Sequence, residues 1–195
     1  IEGYRFGGGE KSACIVGALR GNEIQQLYIC SQLVKALKEL EAHGAISHNH
    51  EILVIPSVNR FSMNVGKRFW PTDNSDINRA FPGDVNGDTT KQIAGTLFDR
   101  IKGYSYGIHF ASFYMPGDFI PHVKMMDTGF QSASLANLFG LQYVVIRKPK
   151  PMDTVTLNYN WQMNGTNAFS IYTNSTDMID EKSARQAVSS VLRFL

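Results

Sequence analysis

The run from Ser12 to Leu19 is almost wholly small or apolar and does not alternate, as expected of a strand buried on both faces of a sheet. Arg20-Gly21-Asn22 follows as a turn, and a helix is expected to begin near Glu23. Along it Ile24, Leu27, Tyr28, Val34 and Leu37 recur at helical spacing, while Gln25, Gln32, Lys35, Lys38 and Glu39 fall outside the stripe. Gly44 is placed to cap its C-terminus. A second buried strand reads from Glu51 to Ile55 and is closed by Pro56.

From Asn59 to about Asp88 the periodicity stops, and Asn, Asp, Pro and Gly accumulate. Structureless loops of this length inside a compact domain tend to be functional. Beyond it, Thr89–Lys102 and Ser132–Phe139 read as helices, and Tyr104–Phe110 and Leu141–Arg147 as strands. Ala168–Thr173 reads as a short further strand and Asp180–Leu195 as a closing amphipathic helix. Strands alternating with helices imply a three-layer α/β/α fold around a mostly parallel mixed sheet. No repeat, low-complexity tract or linker interrupts it, so residues 1–195 are expected to form one domain.

Composition adds exclusions rather than a function. The net charge is +2, and lysines and arginines are scattered without a stripe, which argues against a nucleic-acid or membrane-surface partner. No apolar run is long enough to span a bilayer and none reads as a signal peptide, so the expected location is cytoplasmic. The first residue, Ile1, leaves open what precedes it. Cys14 and Cys30 lie in apolar runs without a CxxC partner and are expected to be buried, unpaired thiols, as suits a reducing compartment.

In open α/β sheets ligands bind beyond the carboxyl ends of strands. Three segments fall there: Arg20-Gly21-Asn22-Glu23, the long loop, and the region after His109. A strand, then x-Gly-Asn-Glu, then a helix resembles the His-Gly-Asn-Glu signature of the succinylglutamate desuccinylase/aspartoacylase family, within the zinc-carboxypeptidase-like clan. The loop from Arg68 to Gly83, with Asp76-Ile77-Asn78-Arg79-Ala80-Phe81-Pro82-Gly83, resembles the family's second signature. A strand ending at Gly107-Ile108-His109 is similar to the third.

The resemblance implies a hydrolase of N-acyl amino acids or similar small carboxylates, with zinc held by His, Glu and His. Those ligand types leave a fourth position open for water, and a glutamate on a late strand would act as general base. Glu23 and His109 stand at two metal-ligand positions. Arg68, Asn78 and Arg79 stand where the family grips substrate, a task suited to the guanidinium fork. Three positions depart. Arg20 replaces the first ligand and has no lone pair to offer a metal. Tyr172 stands at the general-base position, and neutral tyrosine is a poor base near pH 7. Gly107 stands where the family often has Asp. The family commonly carries a further small β-rich C-terminal domain that helps shape substrate access; without one in these 195 residues, a more open pocket is expected.

Two readings remain. In one, Glu23 and His109 bind metal with a recruited third ligand, of which His122 is a candidate, and the chain hydrolyses a small carboxylate-bearing substrate. In the other, Arg20 pairs with Glu23 in the space of the zinc, and the same pocket captures a carboxylate through Arg20, Arg68 and Arg79. Arg68, Asn78 and Arg79 could also pin the loop, with Asp73 and Asp76 pairing to them. His43, His48 and His50 read as a solvated connection. Phe110, Phe113, Tyr114 and Phe119, with Tyr159 and Trp161, could wall the pocket, Tyr159-Asn160-Trp161 being the better candidates.

Overall fold

The computed structural model describes residues 1–115, 117–131 and 133–195. Its strands are β1 (Tyr4–Gly7), β2 (Glu10–Ala18), β3 (His50–Ser57), β4 (Tyr106–Phe113), β5 (His122–Met126), β6 (Val144–Arg147) and β7 (Asn167–Ser175). Its helices are α1 (Ile24–Ala42), α2 (Arg60–Asn64), α3 (Thr89–Ile101), α4 (Leu157–Met163) and α5 (Glu181–Phe194). All seven strands join one mixed sheet in the order β1-β3-β2-β4-β7-β5-β6. Pairing is parallel at β2/β3, β2/β4, β4/β7 and β5/β6, and antiparallel at β1/β3 and β5/β7.

The non-alternating run in β2 is explained by the layers on either side. Ala13 and Ile15 enter one apolar cluster with Leu33 and Leu37 of α1 and Ala187 and Val191 of α5. Cys14 and Val16 enter a second, with Leu97 and Ile101 of α3 and Leu157 and Trp161 of α4. Successive side chains of a strand point to opposite faces, so a strand covered on both has no polar side to show. The result is an α/β/α sandwich.

The chain leaves β2 through α1 to reach β3 on one side, and places β4 on the other side of β2. The carboxyl ends of β2 and β4 therefore flank the point where the winding reverses, the usual ligand crevice of such sheets.

Several expected elements differ in detail. The long loop contains α2 and a one-turn 3-10 helix at Ile77–Arg79. The segment expected to be helical before Phe139 is a 3-10 helix, Ala133–Phe139; Ser132, where it was expected to start, lies outside the described residues. The strand expected from Leu141 is shorter, Val144–Arg147. The strands β1 and β5 and the helix α4 lie where no element was expected. The strand β5 is only five residues long and reads His-Val-Lys-Met-Met, too short for a clear period.

Gly107, read by resemblance as a departure, is explained by packing. A Cβ there would stand 2.7 Å from the Trp161 ring, and Trp161 is fully buried beneath the sheet. Removing that side chain's space overpacks a dense core, at a typical cost of about 1–3 kcal/mol. Thermal denaturation should therefore show Gly107→Ala melting clearly below the wild type; an unchanged Tm would mean that Trp161 does not rest on the glycine.

Candidate active site

Arg20, Glu23, Arg68, Asn78, Arg79, His109 and Tyr172 all line one cavity of about 260 Å³. It lies on the α3/α4 face of the sheet, beyond β2 and beside β4 and β7. Across the strands, His109 registers with Ser170 and Ala111 with Tyr172. His122 registers with Tyr172 and Lys124 with Ser170. His109, Ser170 and Lys124 thus form a cross-strand row along the cavity side of the sheet, with Tyr172 and His122 in the next.

Two glycine-dependent contacts bring the loop to the sheet. The Gly21 N–H donates to the Arg68 carbonyl at 3.0 Å, and a Cβ on Gly21 would stand 2.2 Å from the Lys67 carbonyl oxygen. Gly83, at φ +96°, would place a Cβ 2.0 Å from the Gly95 backbone nitrogen. These close approaches hold both ends of the Arg68–Gly83 segment against the fold.

Arg20 is 8% exposed and Glu23 2%. The Arg20 guanidinium donates from Nε and Nη2 to the two Asp76 oxygens, both at 2.8 Å. Its Nη1 donates to Glu23 Oε1 at 3.1 Å and to the Tyr114 hydroxyl. The Tyr114 hydroxyl in turn donates to Glu23 Oε1 at 3.1 Å. Glu23 Oε2 accepts from the backbone N–H groups of Leu19 and Arg20 at 2.8 and 3.0 Å. Burial works against the charged guanidinium, but the Asp76 hydrogen bond and the Glu23 charge outweigh it and raise its pKa. Burial and the Glu23 charge push the Tyr114 phenol up to about 12, against Arg20 and Arg68.

His109 is buried, and its Nε2 has no hydrogen-bond partner. Burial, helped by the Arg20 charge, lowers its pKa to about 3, so the imidazole is neutral at physiological pH. Tyr172, by contrast, has its pKa pushed up, by burial first, against the charges of Arg147 and Arg20. It stays a neutral phenol. Its ring stacks on His122 at 5.1 Å and carries Lys124 Nζ at 5.0 Å from its centroid.

A zinc ion at the family's position would need lone pairs from three side chains. Arg20 has none, and each oxygen of Glu23 already accepts two hydrogen bonds. His109 Nε2 alone has a free acceptor in the Nδ1–H tautomer. His122 does not join it: its Nδ1 faces the Ile120 carbonyl at 3.0 Å, and it does not line the cavity. Among the described residues no three of His, Cys, Asp and Glu come together where they could hold a metal. The residues present do not fit a zinc ion.

The expected loop pairings are also revised. Asp76 binds Arg20, not Arg68 or Arg79, because its carboxylate faces the β2–α1 turn. Asp73 accepts from Ser75 alone. Asn78 Oδ1 accepts from the Leu157 N–H at 3.1 Å, at the start of α4, which commits its oxygen to the fold. Arg68 lies 3.4 Å from the Tyr114 ring centroid, with its Nε buried and unpartnered. Arg79 donates to its neighbour's carbonyl, Asn78 O, at 3.3 Å. Among the described residues neither pairs with a carboxylate.

Of the aromatic candidates, Tyr114 lines the cavity. Phe113 and Phe119 stack on each other at 4.0 Å, beside Tyr172. Phe110 and Trp161 are core residues, packed on opposite faces of the sheet, and Tyr159 does not line the cavity. Lining residues that the sequence did not single out are Lys124, Arg147, Asp153 and Asn158. Lys124 comes from β5, Arg147 from β6, Asn158 from α4 and Asp153 from a one-turn 3-10 helix, Pro151–Asp153, elements that were short or unexpected. Arg147 makes a bidentate pair with Asp153 at 2.6 and 2.7 Å, which holds the Asp153 carboxyl below its usual range.

A sheet covered on both faces, with a polar cavity at its switch point, places the chain among the zinc-carboxypeptidase-like α/β/α folds. A metallo-carboxypeptidase from Burkholderia cenocepacia shares that fold at a TM-score of 0.74 and 12% identity, over 98% of this chain and 59% of the other. More particularly, residues 10–195 match the family described as the succinylglutamate desuccinylase/aspartoacylase catalytic domain, and the chain belongs to that family. A succinylglutamate desuccinylase/aspartoacylase from Rhodobacter sphaeroides superposes at a TM-score of 0.79 and 20% identity, covering 98% of this chain and 56% of its own. The N-alpha-acetyl-L-2,4-diaminobutyric acid deacetylase of Halomonas elongata is 28% identical over 90 residues, 46% of this chain and 24% of its own. The chain thus spans well under two thirds of these relatives. Among the described residues no helix is long and apolar enough to cross a membrane.

The Arg20–Asp76 pair is enclosed, with side chains 10% and 18% exposed. Removing one partner leaves the other charge buried, at a typical cost of about 3–5 kcal/mol. Asp76→Ala should lower unfolding stability on that scale in urea titration, while Asp73→Ala, at an exposed carboxylate, should leave the midpoint where it is. Equal effects of the two would refute the assigned pairing.

Proposed function

We propose that this domain, residues 1–195, binds a small carboxylate of the N-acyl amino acid class in a pocket that works without a metal. The observation that carries this is the contrast among the pocket's cations. Arg20 is fully bonded to Asp76, Glu23 and Tyr114 in the place of the first zinc ligand. Arg68 and Arg79 line the same cavity with no carboxylate partner among the described residues. Arg68 is half-buried, and a guanidinium taken partly out of water without a partner favours an incoming anion; Arg79 is exposed beside it, and the planar fork of each suits a carboxylate. The relatives support the ligand class: one is named for deacetylating an N-acetyl amino acid, and another, an ectoine utilization protein from Ruegeria pomeroyi, was solved with product bound.

Hydrolysis of an acyl bond would need an activated water. Tyr172, at the general-base position, is held neutral, and the residues around His109 do not supply a three-donor metal site. The retained part of the machinery is the part that grips a carboxylate.

Titration calorimetry with N-acetylalanine in the presence of a chelator tests this. Binding should persist in the chelator. Arg79→Ala should weaken it by about tenfold to a hundredfold, the usual range for a lost charge-assisted hydrogen bond of about 1.5–3 kcal/mol. Binding that disappears with the chelator, or that ignores Arg79→Ala, contradicts the reading.

A further inference from the structure

Lys124 is a cavity cation for which neither the family's signatures nor the ion-pair network accounts. It lies on β5, paired to Ser170 of β7, which is in turn paired to His109 of β4. Two strand spacings separate Lys124 from His109, or about 10 Å of backbone, and Lys124 lines the same cavity as His109, Arg68 and Arg79. Arg20 and Arg147 have carboxylate partners there; Lys124 has none among the described residues. It is half-buried, and its Nζ stands 5.0 Å from the Tyr172 ring centroid.

We propose that Lys124 is a nucleophilic amine that captures small oxo acids, such as an aldehyde-acid, as a reversible imine. The inference rests on the carboxylate reading above, in which Arg68 and Arg79 hold the acid end while the carbonyl faces Lys124. The chemistry balances without a co-reactant. The ammonium releases a proton to solvent, Nζ attacks the carbonyl carbon, and the carbonyl oxygen takes up a proton to give a carbinolamine. That hydroxyl then leaves as water, and the C=N bond forms as the protonated imine. Amines serve this role when desolvated or set beside other cations. Both conditions hold here: burial first, then the Arg147 charge, lower the Lys124 pKa against the opposing Asp153 carboxylate, with Lys150 adding a smaller lowering. The phenol of Tyr172 adds no negative charge, since it remains neutral.

The test incubates the full chain with glyoxylate and borohydride, which reduces an imine to a stable secondary amine, and maps the added carboxymethyl group by peptide mass spectrometry. The expected result is labelling concentrated at Lys124, above exposed lysines such as Lys35 and Lys182. The adduct at that position should be lost in Lys124→Arg, whose folding is checked by its Tm. Labelling no greater at Lys124 than at exposed lysines overturns the proposal. Calorimetry of the wild type with N-acetylalanine separates the two readings. If N-acetylalanine binds but Lys124 stays unlabelled, only the imine fails. If Lys124 is labelled selectively but N-acetylalanine does not bind, the imine stands and the carboxylate reading fails.

Discussion

The rest of the site depends on one buried charge cluster: the Arg20 guanidinium clamped by Asp76 and Glu23. Arg20 belongs to the turn after β2, Glu23 caps α1, and Asp76 belongs to the loop between β3 and α3. The β2–α1 turn and the loop are therefore tied at one point, and Tyr114, after β4, joins them. The same loop supplies Arg68, Asn78 and Arg79, so the geometry of these cavity-lining side chains follows from where Arg20 holds Asp76. A buried charge needs partners, and here the partners are the two carboxylates and the Tyr114 hydroxyl. In the proposed metal-free reading, a fixed organic cation organises the residues that would otherwise surround a metal ion.

That substitution changes the electrostatics of the cavity as well as its chemistry. A guanidinium spends its charge on neighbours in fixed directions, whereas a metal leaves an open coordination position for water. The carboxylates Glu23, Asp76 and Asp153 are all consumed internally. What remains turned to the cavity is positive: Arg68, Arg79 and Lys124. His109, isolated from any proton partner on Nε2 and neutral through burial, adds no charge to that balance. That balance is what supports the proposed anionic ligand.

Much of this was legible in the sequence, and the remainder was not for definite physical reasons. The apolar run of β2 encodes two-sided burial directly, and β2 and α1 both fall close to where they were expected. Within α1, however, Ile24 of the expected stripe is exposed and Gln25, expected outside it, is fully buried. The loop string from Arg68 to Gly83 named three of the cavity's residues before any geometry existed. The pairing of Arg20 with Glu23 followed from the charge of a residue that cannot bind metal. Asp76 as the main clamp of Arg20 did not follow, because 56 positions separate the two and only the folded loop brings them together. Lys124 and Arg147 were hidden for another reason: β5 and β6 are short and partly exposed, so their patterns carry little period. Gly107 was readable as a departure, but its cause, the Trp161 ring against it, required the tertiary structure.

Arg20 is held by Asp76 and Glu23, and in the proposed reading its side chain takes the place of the metal. Anomalous X-ray diffraction at the zinc edge, from crystals grown in zinc, tests it most directly. The account predicts Arg20 density bridging Asp76 and Glu23, with no anomalous peak between Glu23 and His109. A zinc peak ligated by Glu23 and His109, with Arg20 swung away from Asp76, would contradict it.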